Sequence, residues 1–135
     1  MSDLQRFAFS FLNVEIMRRY LPSIVDGFVL TVYLALAVIV TGIVVGLVLA
    51  MIRAAQVRPL NWLIVFAVDL LRALPPLVVI VIFYFALPYV GVRMSGVVAT
   101  WASLSLVLAA FAEEIFWAGI LAVPRGSGRP RARRD

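Results

Sequence analysis

Apolar residues in this chain fall in long blocks, and polar or charged residues mark the joints between them. No charged residue occurs from 28 to 52. That run exceeds the ~20 residues needed to cross a hydrocarbon core about 30 Å thick, and it predicts a first transmembrane helix. A second apolar region, 60–92, is interrupted by Asp69 and Arg72 and then by Pro75 and Pro76. Drawn as one straight helix it would be about 50 Å long, too long for a single crossing. The interruption predicts a short interfacial helix, a charged elbow, and a second span counted from Ala73 to near Pro88. A third span, 97–123, carries Glu113 and Glu114 toward its C-terminal end.

The two ends differ from this core. In 1–20, Leu4, Phe7, Phe11 and Leu12 recur at helical spacing, with Asp3, Arg6, Ser10 and Asn13 mainly on another face. This pattern predicts an amphipathic helix on the membrane surface, with a poorly ordered leader as the alternative. Leu21-Pro22-Ser23 reads as a break, with Ser23 as the N-cap of the first span. A cleavable signal is not expected, because the run after Arg18 and Arg19 is longer than a signal's apolar core. After Pro124 the composition turns to Arg, Gly, Pro and Ser, so 125–135 reads as a disordered Arg-rich tail. The expected fold is all-α and integral to the membrane. It comprises an N-terminal amphipathic segment (1–20), a three-span domain (21–124) with its short interfacial helix, and the tail.

Composition narrows the chemistry. Of the 135 residues 64% are hydrophobic, against roughly 45–50% in a soluble domain. All twelve basic residues are Arg, and Lys, His and Cys are absent. A Ser-His-Asp triad, a Schiff base and the usual zinc, haem and iron–sulfur ligand sets are therefore unavailable. No catalytic role, cofactor or metal is expected. The net charge of +5 does not form one basic stripe, so nucleic acid is not an expected partner. The arginines instead flank the spans and orient them. With the N-terminus outside, Arg53, Arg58, Arg72, Arg125, Arg129, Arg131, Arg133 and Arg134 face the cytoplasm, leaving Arg6, Arg18, Arg19 and Arg93 outside.

Three sets of residues stand out within the spans. Gly42 and Gly46 have the small-xxx-small spacing that lets helices approach closely, although glycine is common in membrane helices in any case. Asp69 and Arg72 are one helical turn apart and suit an i,i+3 pair holding the elbow, a structural role favoured over contact with a solute. Glu113 and Glu114 are costly in a membrane, at about 2.5–3.5 kcal/mol each if placed at its centre. As neighbours they point about 100° apart and cannot share one helix face. They either line a polar pathway or are structural, paired with an interfacial Arg or reaching the headgroups. Trp101 and Trp117 read as lipid-facing or packing aromatics.

In order and spacing these pieces resemble the membrane (permease) subunit of an ATP-binding-cassette importer for polar amino acids. Asp69-Leu70-Leu71-Arg72-Ala73-Leu74-Pro75-Pro76 is similar to that family's acidic-x-x-Arg-Gly-Thr-Pro-Leu elbow, with Ala73 and Leu74 departing from Gly-Thr. The segment 83–92, with Leu87-Pro88 and Gly91, resembles the end of the family's second helix. The segment 112–120, with Val123-Pro124-Arg125-Gly126, resembles its Ala-Glu-Ile-x-Arg-Gly-Gly-Ile…Val-Pro-x-Gly pattern. There Glu114 takes the acidic position, and Trp117 stands where Arg is usual.

The resemblance implies transport of amino acids across a bacterial plasma membrane. It also implies partnership with lipid, a second permease subunit, a cytoplasmic ATPase and an external solute-binding protein. The family's ATPase-docking loop should follow Gly126, but Ser127-Gly128-Arg129-Pro130 follows instead. The expectation is therefore a permease domain cut short by truncation or frameshift, doubtful in docking and unable to support ATP-driven uptake alone. The alternative is a small membrane interaction protein that regulates a larger membrane complex, with its helices and Arg-rich tail as contacts.

Overall fold

The computed structural model describes Phe7 and residues 13–123. The chain divides into two compact units, Met1–Leu36 and Ala37–Asp135. Of the expected amphipathic segment, residues 1–6 and 8–12 lie outside the described residues, as does the whole of the expected tail, 125–135.

Helix α1 spans Val14–Ala54. Asn13 starts it: its side-chain Oδ1 accepts from the N–H groups of Glu15 at 3.1 Å and Ile16 at 3.2 Å. These are two of the orphan donors that every helix N-terminus must satisfy. The break read at Leu21-Pro22-Ser23 is absent, since α1 runs through Pro22 and Ser23 caps nothing. An interior proline removes one backbone hydrogen bond, but helices that meet lipid keep such residues because continuing the helix satisfies all other backbone groups. In the first unit, 14–36 is exposed apart from Leu34, and Thr31 returns its hydroxyl to the Gly27 carbonyl at 2.8 Å.

In the second unit α1 ends in a turn that closes on Gln56, whose φ of 58° is left-handed. Helix α2, Arg58–Ala73, follows with a proline in its first turn, where no N–H is missed. Pro75 forces the residue before it out of the helical region. Leu74 and Pro75 are accordingly both extended, with ψ of 135° and 137°. The next helical segment leaves this joint at 106° to α2. It is α3, Pro76–Val81, continued by a π turn at Ile82–Ala86 and a 3-10 turn at Leu87–Val90. The second span therefore starts at Pro76, not Ala73, and its three pieces fall short of the ~20 residues of a full crossing.

Gly91, at φ 88°, turns the chain where a side chain would be strained. Ser95 then caps α4, Gly96–Ala122, accepting from the Val98 N–H at 3.3 Å. Among the described residues, α1 and α4 are long and apolar enough to cross a membrane, and the bent pair makes a third crossing if counted as one broken span.

The core of this unit is thin. Ile64, Val68 and Ala110 are its buried centre, with Leu49, Ile52 and Leu71 packed around them. Helix α2 thus lays one apolar stripe against α4 while Trp62, Leu63 and Phe66 stay exposed. Outward-facing apolar side chains on every helix fit lipid as the solvent, where no hydrophobic force drives helices together and close packing must do so.

Candidate functional site

The buried stripe of α1 in the second unit is Val38, Gly42, Gly46 and Ala50, four residues apart each time. Both glycines face α4, Gly46 at backbone distance. A Cβ on Gly46 would lie 2.7 Å from the Ala112 Cβ, 2.8 Å from the Ala109 carbonyl oxygen and 3.0 Å from the Glu113 nitrogen. On Gly42 it would meet Leu108 side-chain atoms at 2.8 Å. Nearby, the Thr41 hydroxyl donates to the Ala37 carbonyl at 2.6 Å, which leaves Ser105 to donate to Thr41 Oγ1 at 2.7 Å. That bond ties α1 to α4 without exposing a hydroxyl to hydrocarbon.

One turn beyond Ala50 the stripe ends in Arg53. Because Gly46 has drawn the α4 backbone in, Glu113 lies directly beneath the guanidinium. Arg53 Nη1 donates to Glu113 Oε1 at 3.1 Å and Oε2 at 3.3 Å. The Glu113 side chain is fully buried, and that of Arg53 is 17% exposed. The Trp117 ring, one turn further along α4, lies 4.6 Å from the Arg53 guanidinium carbon, within cation–π range. An anion with both oxygens satisfied and a cation stacked on an indole is how a charge pair is kept in an apolar setting.

Glu114 points elsewhere, as its 100° offset requires. It accepts from Arg72 Nη1 at 2.6 Å, at the far end of α2. The same nitrogen stands 4.0 Å from Asp69, the i,i+3 partner read from the spacing. Phe111 lies beside the guanidinium at 5.6 Å. These three charged groups are partly exposed, at 34% for Arg72, 64% for Asp69 and 43% for Glu114. Consecutive residues of one helix therefore hold the C-terminal turns of two others, and both arginines sit where a helix dipole favours a cation.

Two cavities adjoin this arrangement. One, of about 380 Å³, is walled by apolar side chains including Val45, Leu49, Leu63 and Leu106. It offers a zwitterion no hydrogen bond. The other, of about 320 Å³, is lined by Arg53, Asn61, Trp62, Val65 and Trp117. Asn61 Oδ1 is buried without a hydrogen-bond partner. Among the described residues no group of acidic side chains is placed to hold a metal ion.

Sequence reasoning singled out both glutamates, the elbow pair and the two glycines; the structure pairs Glu113 with Arg53 and Glu114 with Arg72, sets both glycines against α4, and leaves Asp69 exposed beside Arg72 of its own helix. It did not single out Arg53, Thr41 or Ser105. A signal for Arg53 was present: it continues the stripe of Gly42, Gly46 and Ala50 by one turn at the edge of an uncharged run.

No protein-family model matches the chain. Among curated proteins it is 32% identical over 115 residues to the probable glutamine ABC transporter permease protein GlnM of Bacillus subtilis, covering 85% of this chain and 53% of that one. It is 31% identical over 107 residues to the arginine transport system permease protein ArtQ of the same organism, covering 78% and 49%. It is also 30% identical over 111 residues to that organism's L-cystine transport system permease protein TcyB, covering 82% and 47%. The fold agrees with a solved structure, the crystal structure of an amino acid ABC transporter with histidines. The TM-score is 0.73 at 26% identity, over 79% of this chain and 50% of that one. The chain thus spans about half the length of the relatives it matches. Those relatives are transport proteins and not enzymes, and together with the long apolar helices they make this a protein of the inner membrane. In sequence and in fold, its homologues are the permeases of amino-acid ABC transporters.

Proposed function

We propose that the chain serves in the permease of an importer for polar amino acids, powered by an ATP-binding-cassette ATPase. The observation that carries this reading is the match to glutamine, arginine and cystine permeases over about four-fifths of the chain, together with a shared fold. A second permease subunit, a cytoplasmic ATPase and an external solute-binding protein are the partners that the reading requires. The N-terminus lies outside and the C-terminus in the cytoplasm, the topology that puts Arg53, Arg58 and Arg72 on the cytoplasmic side. Helix α2 serves as the short interfacial helix, and the segment that leaves the Pro75 joint at 106° serves as the second of three crossings.

The polar residues divide between two roles. Glu113 is structural, which its burial and its pair with Arg53 support. Glu114 is the one available to a passing solute, supported by its partial exposure beside Asp69 and Arg72. Gly42 and Gly46 set the distance between α1 and α4.

Deleting the gene in its source cell and measuring uptake of labelled glutamine, arginine and cystine tests the proposal. Uptake of at least one is expected to fall several-fold and to return with the gene. Unchanged uptake of all three, with no ATPase or solute-binding protein co-purifying with the chain, would sink it.

A further inference from the structure

We infer that Arg72 is a two-position latch at the elbow. Glu114 holds it when α2 lies against α4, and Asp69 of its own helix takes it when α2 moves away. The geometry supplies both seats from one nitrogen, 2.6 Å from Glu114 and 4.0 Å from Asp69. A side chain one turn back on the same helix stays within reach whatever that helix does. Arg72 can therefore leave α4 without ever being unpaired.

Three further observations favour release here and not at the neighbouring pair. First, Arg72, Asp69 and Glu114 are all partly exposed, so an exchange of partners strips no bare charge of water. Glu113 is fully buried, and among the described residues neither it nor Arg53 has a second ionic partner. Second, the residue after next is Leu74, which with Pro75 forms an extended joint that lets the end of α2 shift independently of α3. Third, Phe111 lies one turn before Glu114 on α4 and is, among the described residues, the one ring beside the guanidinium, which makes the closed seat the resting one. Exposed ion pairs are weak, so a latch of this kind biases a position and does not lock it.

The chain has no cysteine, which makes cross-linking clean. Leu71 of α2 packs against the buried cluster that Ala110 of α4 belongs to, so L71C/A110C, in the full chain in lipid nanodiscs, reports closure of α2 on α4. E114Q should slow oxidative cross-linking by about two- to fivefold, the worth of a partly exposed pair. D69N, by removing the competing seat, should quicken it by a similar factor. R72Q should slow it and abolish the effect of D69N. The control pair T41C/S105C, across α1 and α4, should be unchanged by all three.

Spin labels at Leu70 and Ile115, both exposed, give a second readout that needs no core substitution. Their distance distribution should broaden in E114Q and narrow in D69N. If D69N acts in the same direction as E114Q, the three residues form one clamp and the latch is wrong. Indifference to all three substitutions overturns it equally. Neither measurement involves transport, so the latch can fail while the importer reading stands, and the reverse.

Discussion

At the scale of single residues, the two arginine–glutamate pairs look alike in the sequence and differ in what they hold. Arg53 is 17% exposed and can swing toward the headgroups, whereas Glu113 has no route to water. The two truncations should therefore be unequal. Arg53→Ala strands a buried carboxylate and should cost about 3–5 kcal/mol, the range for breaking a buried pair from one side. Glu113→Gln leaves an arginine that can escape and an amide that still accepts a hydrogen bond, and should cost about 1–3 kcal/mol. Thermal unfolding in detergent micelles measures both, and equal losses would contradict the asymmetry. The glutamates were conspicuous in the sequence because carboxylates are rare in apolar runs. Their partners were not, because Arg53 and Arg72 precede them by 60 and 42 positions and no local spacing encodes such a meeting. The i,i+3 spacing of Asp69 and Arg72 was legible, but the shorter contact of Arg72 is to Glu114.

At the scale of elements, boundaries set by strong local chemistry were readable and those set by context were not. Pro75 ends α2 because its ring excludes the preceding residue from helix; Ser95, which the sequence reading passed over, starts α4 by accepting a backbone N–H. Pro22 carries the same local signal yet leaves α1 continuous, since a lone interior proline costs less than breaking a helix already capped at Asn13. The π turn at Ile82–Ala86 left no composition signal in its five apolar and aromatic residues. Helix contact was legible in the four-residue spacing of Gly42 and Gly46, though not which helix they meet. Gly46→Ala should cost about 1–3 kcal/mol, because its methyl group would press on the Ala109 carbonyl and the Ala112 side chain and push α4 away. Gly42→Ala should cost less, because it meets side-chain atoms of Leu108 and no backbone, although the Leu108 Cβ at 2.9 Å does not move with the rotamer. Gly27→Ala has nothing within 4 Å and should be neutral or slightly stabilising. Unfolding of the three variants under one set of conditions checks the order, and a Gly42 variant worse than the Gly46 variant would refute it.

For the molecule as a whole, exposed apolar surface on every helix requires lipid. Single cysteines at Val44 and Leu47, which face outward from α1, should resist a water-soluble maleimide in open membrane fragments with both faces accessible, and one at the exposed Arg58 should react. Rapid labelling at Val44 would overturn the membrane placement. The pairing of α1 with α4 also has a consequence in time. Arg53 leaves the ribosome sixty residues ahead of Glu113, so at about 5–20 residues per second its partner arrives roughly 3–12 s later. During that interval the guanidinium has no Glu113 to pair with, so the last described helix to be synthesised is the one that completes the charge pair of the first.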